Sequence, residues 1–519
     1  MKKSISVFLL SFLMVVGLMC SCSKPEMGKM IPKDAPMVVS INVDKAVSAL
    51  DASSEDSENF NKEIEKLMKR AGAPDDTREA LANILKNPEK MGMDLRYPIM
   101  FFGSMSLKNG MACVGALHSK SDFEEFLASL HSLEDQFSVV RDYKDGLKYA
   151  VMEHSFVVAF NDDNFAFYPA KYRDEPDELM AELSKIFTLK PEESLQNNQA
   201  FQKMYSKQGV AQLLVLGEGL SSAYGMAGIP SDELSKLMPA GFDMNGIAVI
   251  SNLVIEKGYA EIEQQTVAMS DKAEKFIENL PVGEVDNDFG DYLDKKNIGY
   301  GVGNVDGSLI LKLLLNNEVF KAQLGYDPQV KRAVEMVFNT IDGDIAFCFE
   351  SAPTGRHQMP ELSLFVKTKD AKWLKLVEEN RVPGLQNKGE NAYVFAPDSR
   401  RDVGTVVFGD EGGKAYLLMG NREREFKKVD DNVEETGKGK NFYARLNAQP
   451  FFAIPEIAKR MERETMGMGD NFTDLIDYFE LICEDNTTTK FRVVMKDQDK
   501  TPVKACYDEF FSLYKRMMR

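Results

Sequence analysis

One recurring phrase constrains this chain more than any other feature. "MVVSINVDKAVSAL", Met37 to Leu50, reads as an alternating apolar strand, a polar turn and an apolar-periodic helix start. It has three echoes: "VAQLLVLGEGLSSAY" from Val210, "IGYGVGNVDGSLILKLL" from Ile298 and "NFYARLNAQPFFAIPEIAKRM" from Asn441. A phrase repeated at long intervals implies a repeated supersecondary unit.

The text after each phrase matches as well. A second helical stretch comes next: "DDTREALANILKN", "SDELSKLM", "PQVKRAVEMVF" and "FTDLIDYF". Two strands follow. In the second copy they are "NGIAVISNLVI" and "YAEIEQQTV", split at Glu256-Lys257-Gly258; in the fourth they are "YFELICED" and "TKFRVVMKD". A helix closes each copy, and Asp122 with Glu125 and Asp271 with Glu274 have capping-box spacing at two of these starts. The unit is therefore β-α-α-β-β-α, four times over. An extra hairpin after the first copy turns at Asn161 to Asn164, and one after the third turns around Gly409 to Gly413.

This wiring predicts an α+β fold of two similar halves, residues 34–280 and 298–519. Each half has two β-α-α-β-β-α units and an extra hairpin. The joint, Pro281 to Asn297, is acidic and Gly-containing as linkers are. The last strands alternate with period two: Phe491, Val493 and Met495 oppose Lys490, Arg492 and Lys496, and Ala260 and Ile262 oppose Glu261 and Glu263. Such strands have one wet face, so antiparallel sheets with helices on one face are expected. The order is similar to ferredoxin-like wiring, a likeness of topology that carries no function.

The N-terminus predicts an address. Lys2 and Lys3 precede the apolar run Val7 to Met19, which is short for a membrane span and long enough for a signal peptide. Ser21 before Cys22 fits the small residue that a lipoprotein signal places before its acylated cysteine. Residues 1–21 are thus expected to be removed, Cys22 to be lipidated, and residues 22–33 to act as a tether. The formal charge is −18, and loss of two lysines makes the chain more acidic still. That repels phosphate backbones, so nucleic acid is not expected as a partner.

Four cysteines lie beyond the lipidation motif. Cys113, Cys348 and Cys483 sit in apolar strand text and read as buried thiols; Cys483 with Cys506 is the one pair worth testing.

Candidate chemistry is sparse. "GEGLSSA", Gly217 to Ala223, approaches a nucleophile elbow around Ser221, but Ala223 replaces a glycine and the other three copies turn without the serine. "GYGVGNVDG", Gly299 to Gly307, is an imperfect dinucleotide fingerprint; its glycines read as packing devices. "DNDFGD", Asp286 to Asp291, lacks the oxygen ligands of a calcium loop at Gly290 and Asn297 and reads as a flexible acidic linker. His118, His131, His154 and His357 form no ligand pair, and His357 falls in a loop between strands. No cofactor, metal or catalytic residue is predicted. Methionine and glycine in "MGKMIP", "GMAGIP", "LMPAGFDM" and "ETMGMGDNF" suit adaptable apolar contacts, or loops folded onto their own domain.

A lipoprotein signal, then "IPKDAPMVVSINVDKAVSAL" (Ile31 to Leu50), then two similar α+β halves, resembles a family of Bacteroides-type lipoproteins of unknown function. The resemblance implies a Gram-negative outer-membrane setting and transfers no functional residue. The reading that follows is a lipid-anchored cell-envelope protein, a non-catalytic binding or scaffold protein for a protein partner. Its sole tryptophan, Trp373, falls in a predicted amphipathic helix, which argues against an aromatic glycan platform. The alternative is an envelope hydrolase with its site between the halves. Side of the membrane and oligomeric state are left open.

Overall fold

The computed structural model describes residues 27–51, 88–133, 138–152, 155–171, 174–207, 209–217, 219–220, 242–317, 320, 328–353, 358–379, 384–389, 391–395, 404–433, 437–464 and 473–517. Among them are eleven α-helices and twenty-one strands, and neighbouring strands pair antiparallel. The chain divides into two compact units. One holds Met1–Asp44 with Ser54–Ser206, the other Lys45–Ser53 with Lys207–Arg519. The expected joint at Pro281 to Asn297 lies inside the second unit.

In the first unit, β1 (Met37–Ile41), β2 (Ile99–Gly103) and β3 (Met111–Ala116) form a three-stranded ladder. The ladder continues from β3 through the later strands in reverse chain order: β4 (Arg141–Asp142), β5 (Lys148–Met152), β6 (Phe156–Phe160) and β7 (Asn164–Pro169), with β7 beside β3. The helix Lys120–Leu133 places Phe123, stacked 5.4 Å from Phe165, and Leu127 one turn later on one face of this sheet. Val157, Ala159 and Tyr168 on the other face are fully buried too. Both faces of β6 and β7 are covered, which replaces the expected one-sided layer.

The second unit is built from the same kind of antiparallel ladder. Here β8 (Ala211–Leu216), β9 (Ile247–Glu256) and β10 (Tyr259–Ala268) form the first of them. The short β11 (Val282–Gly283) sits beside β12 (Gly299–Asp306), which leads through β13 (Ile341–Ser351) to β14 (Glu361–Thr368). Next come β15 (Leu385–Gly389), β16 (Ala392–Phe395), β17 (Thr405–Glu411) and β18 (Lys414–Gly420), with β18 beside β14. The last ladder is β19 (Phe442–Asn447), β20 (Ile476–Cys483) and β21 (Thr488–Met495). It joins β12 through β19 and β10 through β21.

Several local expectations are corrected. "FTDLIDYF" turns into strand at Ile476; the second helix of that copy is Pro455–Glu464. The β-branched and aromatic run pairs with β19 and β21, and ladder pairing overrides helical spacing. The helix caps lie upstream of the acidic residues: Ser270 Oγ accepts from Ala273 N at 3.2 Å, and Ser119 Oγ from Asp122 N at 3.2 Å. Met27, Met30 and Ile31, within the segment 22–33 expected to act as a tether, are buried. The "MGKMIP" loop folds onto its own unit; "GMAGIP" lies outside the described residues, as do residues 465–472 of "ETMGMGDNF".

The segment read as a flexible acidic linker is a packed strap. Val285, Phe289 and Leu293 bury into one core with Tyr300, Val302, Phe365 and Leu418 of the sheet. Phe426 stacks between Tyr292, 4.5 Å away, and Tyr416, 4.4 Å away. An apolar residue every fourth position was the missed signal: the acidic residues between are the strap's outer and hydrogen-bonding side.

Candidate functional site

Cys22, His154, His357 and Ser221 lie outside the described residues. His118 and His131 belong to the first unit, and His118 Nδ1 lies 3.1 Å from Met93 O. All four described cysteines are free, so Cys483 and Cys506 are not bonded. Burial pushes the thiols of Cys113 and Cys348 up to about 12, which leaves them protonated and poorly nucleophilic. The glycines of "GYGVGNVDG" are packing devices. Gly301 lies under the Phe347 ring, and a Cβ on Gly307 would meet Phe338 O at 2.1 Å. Asp306, which stands where the third glycine of a dinucleotide fingerprint would fall, caps the helix Gly307–Leu315 by accepting from Ser308 N and Leu309 N.

Three polar clusters of the second unit each pair carboxylates with a cation of the chain. In the first, Asp286, Asp288 and Asp344 bring carboxylate oxygens within 4.8 Å of one another, a spacing suited to a cation. The chain supplies that cation: Lys367 Nζ lies 2.6 Å from Asp288 Oδ2 and 3.6 Å from Asp286 Oδ2. The bond to Asp288 leads the interactions that hold the Lys367 ammonium above its ordinary pKa. Asp344, wholly buried, accepts from Asp286 N at 3.1 Å, Asp288 N at 2.8 Å and Asn304 Nδ2 at 2.9 Å. It latches the strap to β12 and β13.

In the second cluster Arg424 Nη2 donates to both oxygens of Glu350 at 2.5 Å, and Arg424 Nη1 donates to Leu362 O and Met419 O at 3.1 Å. The Ser363 hydroxyl donates to the same Glu350, so it faces a carboxylate already neutralised by arginine. The cluster borders a polar cavity of about 440 Å³. In the third, Arg492 donates to Glu261 Oε2 at 2.7 Å through Nη2 and to Glu480 Oε2 at 3.4 Å through Nη1, and Tyr443 Oη donates to Glu480 Oε1 at 2.7 Å.

That third cluster reverses the expected wet face. Glu261 and Glu480 are buried, whereas Ile262 is 46 % exposed and Phe491 42 %. The register shows how far the reversal extends. Ile262, Phe491, Leu481, Ala444, Gly301, Phe347, Leu364 and Leu417 are consecutive cross-strand neighbours from β10 to β18. Successive residues point to opposite faces, so their strand neighbours Glu261, Arg492, Glu480, Arg445, Tyr300, Cys348, Ser363 and Leu418 form the row behind. The row behind is closed by charge pairing at one end and by the strap at the other. In the front row Leu481, Leu364 and Phe347 are 38 %, 40 % and 43 % exposed. Helices flank this front face: Phe452 of the helix Ala448–Phe452 meets Phe479 edge-on at 6.2 Å, and Val337 of the helix Pro328–Thr340 faces Leu364 across a cavity. Sequence alternation identified the two faces; only strand pairing aligns the apolar ones into one strip.

Fold and site together define an antiparallel α+β protein whose three described charged clusters each pair carboxylates with a lysine or arginine of the chain, and whose open feature is an apolar strip. The chain belongs to the family described as a domain of unknown function, DUF4836, whose profile matches residues 28–503. No curated protein and no solved structure matches the chain.

Proposed function

We propose that this chain is a lipid-anchored, non-catalytic binding protein of the cell envelope, built from two duplicated halves, and that the apolar strip receives an amphipathic helix of a protein partner. The strip carries the reading. Its eight strands at ~4.8 Å spacing span about 34 Å, the length of a helix of about 22 residues. An aligned set of half-exposed Ile, Leu and Phe is the arrangement that helix-in-groove recognition uses. The clusters around Glu350 and Cys348 offer no activated nucleophile, so the hydrolase alternative draws no support from them. No helix among the described residues is long and apolar enough to cross a membrane; the proposed anchor is the lipid on Cys22.

Two outcomes are expected. Cys22→Ala should move the protein from the membrane pellet to the soluble fraction; a variant that still sediments with membranes removes the lipid anchor from the proposal. Phe347→Asp with Phe491→Asp should reduce partner recovery, in crosslinking pull-downs from envelopes, by about tenfold or more. Both side chains are more than 40 % exposed, so the fold should tolerate the change. Equal recovery from the double variant and the parent would rule out the strip as the contact.

A further inference from the structure

Beside the strip is a cavity that the partner reading does not use. It encloses about 280 Å³ between the helix Pro328–Thr340 and the front face of β14 and β18, and its apolar walls include Val337, Ile341, Val366, Leu417 and the indole of Trp373. Trp373 falls just before the helix Leu374–Glu379 rather than within it.

The polar groups that line the cavity are turned into the protein. Thr340 Oγ1 donates to Met336 O at 2.7 Å. Thr368 Oγ1 donates to Asp410 Oδ2 at 2.6 Å, and Trp373 Nε1 donates to the same oxygen at 3.3 Å. Asp410 is buried and also accepts from Gly413 N at 3.1 Å. One carboxylate therefore fixes two wall residues from different segments and consumes their hydrogen-bonding capacity. The lysines adjoining the wall residues are engaged elsewhere: Lys369 lies 3.7 Å from Asp342, Lys372 is paired with Asp370, Lys367 lies 2.6 Å from Asp288, and Lys414 Nζ donates to Asp288 O at 2.6 Å. Such a site offers nothing to a polar or charged ligand, which would lose its water without replacement. It rewards apolar contact alone, and an apolar cavity of about 150 Å³ already takes up benzene. The Asp410-held wall is pre-organised, which lowers the cost of ordering on binding.

We propose that this cavity binds the alkyl chain of a fatty acyl ligand, with the headgroup left in solvent. Leu364 and Leu417, a cross-strand pair of the strip, also line the cavity, so apolar surface continues from one to the other. The two sites thus share an edge, while Val337, Val366 and Trp373 belong to the cavity and not to the aligned row.

Trp373 is the sole tryptophan of the chain and stands in the wall, so its fluorescence reports on this cavity alone. With the full chain and an ω-brominated decanoic acid, saturable quenching of Trp373 is expected. The matching ω-brominated decanol should quench with an affinity within a few-fold of the acid, because no wall group reads the headgroup. Val337→Phe and Val366→Phe, which fill the cavity from the helix and from the sheet, should each weaken quenching by about tenfold or more at an unchanged melting temperature. Absence of saturable quenching would overturn the proposal. So would quenching by the acid alone, which indicates a surface cation site, or quenching unaltered in a folded filling variant. Partner recovery should be unaffected in both variants, which separates failure here from failure of the strip.

Discussion

Asp344→Ala is expected to free the strap from the second unit's sheet and to lower stability by about 3–5 kcal/mol. The carboxylate is wholly buried and is the acceptor for two backbone N–H groups and one amide. Removing it leaves those donors facing a cavity, at about 1–3 kcal/mol for each buried unsatisfied group. It also removes an anion near Lys367, whose ammonium then has only Asp286 and Asp288 to answer it. Asp344→Asn keeps the volume and one acceptor oxygen and should recover part of the loss. Amide hydrogen exchange at Asp286 and Asp288 reads the latch directly: both amides should lose protection in the alanine variant before the sheet amides do. Protection equal to that of the parent, with an unshifted urea midpoint, would show that the apolar contacts of Phe289 and Leu293 hold the strap unaided.

Arg492→Met should be the second large effect, at about 3 kcal/mol. Arg492 answers Glu261 and Glu480, whose side chains are 9 % and 11 % exposed, and it stacks 4.8 Å over Tyr259. Breaking a buried ion pair from one side leaves an uncompensated charge, and here it leaves two. Glu480 keeps its bond from Tyr443 Oη, so Glu261 bears the larger penalty. The triple variant Glu261→Gln, Arg492→Met, Glu480→Gln should regain most of the loss, since neutral side chains of similar volume remove the desolvation cost. A triple variant no more resistant to urea than Arg492→Met would contradict charge as the cause.

Much of the architecture was legible in the amino-acid order. The four phrases mark strands that are present as β1, β8, β12 and β19, and the strand text after them is β2 with β3, β9 with β10, β13 with β14 and β20 with β21. The hairpins at Asn161–Asn164 and Gly409–Gly413 were legible for the same reason: turn residues with a defined backbone preference interrupt period-two alternation. Missed were β15, polar after Leu385, β16, only four residues long, and the first residues of β20 at Ile476, where an aromatic run mimics helical spacing. The strap was misread because acidic and glycine content signals a linker only when no apolar period runs through it, and Val285, Phe289 and Leu293 are such a period.

By itself, then, the chain's order of residues determined the periodicities, the turns and hence the antiparallel strand-and-helix units. These are local properties, set by backbone sterics and by which side chains fall on one face. It also determined which residues share a face of each strand. Which face would be closed was decided only by tertiary structure. Arg492 lies between Glu261 and Glu480 because β10 pairs, in one register, with the hairpin of β20 and β21 more than two hundred residues further along the chain. That pairing lets a charged face be buried and leaves the apolar one open. Burial of charge depends on partners brought in from a distance, and strand alternation carries no record of them.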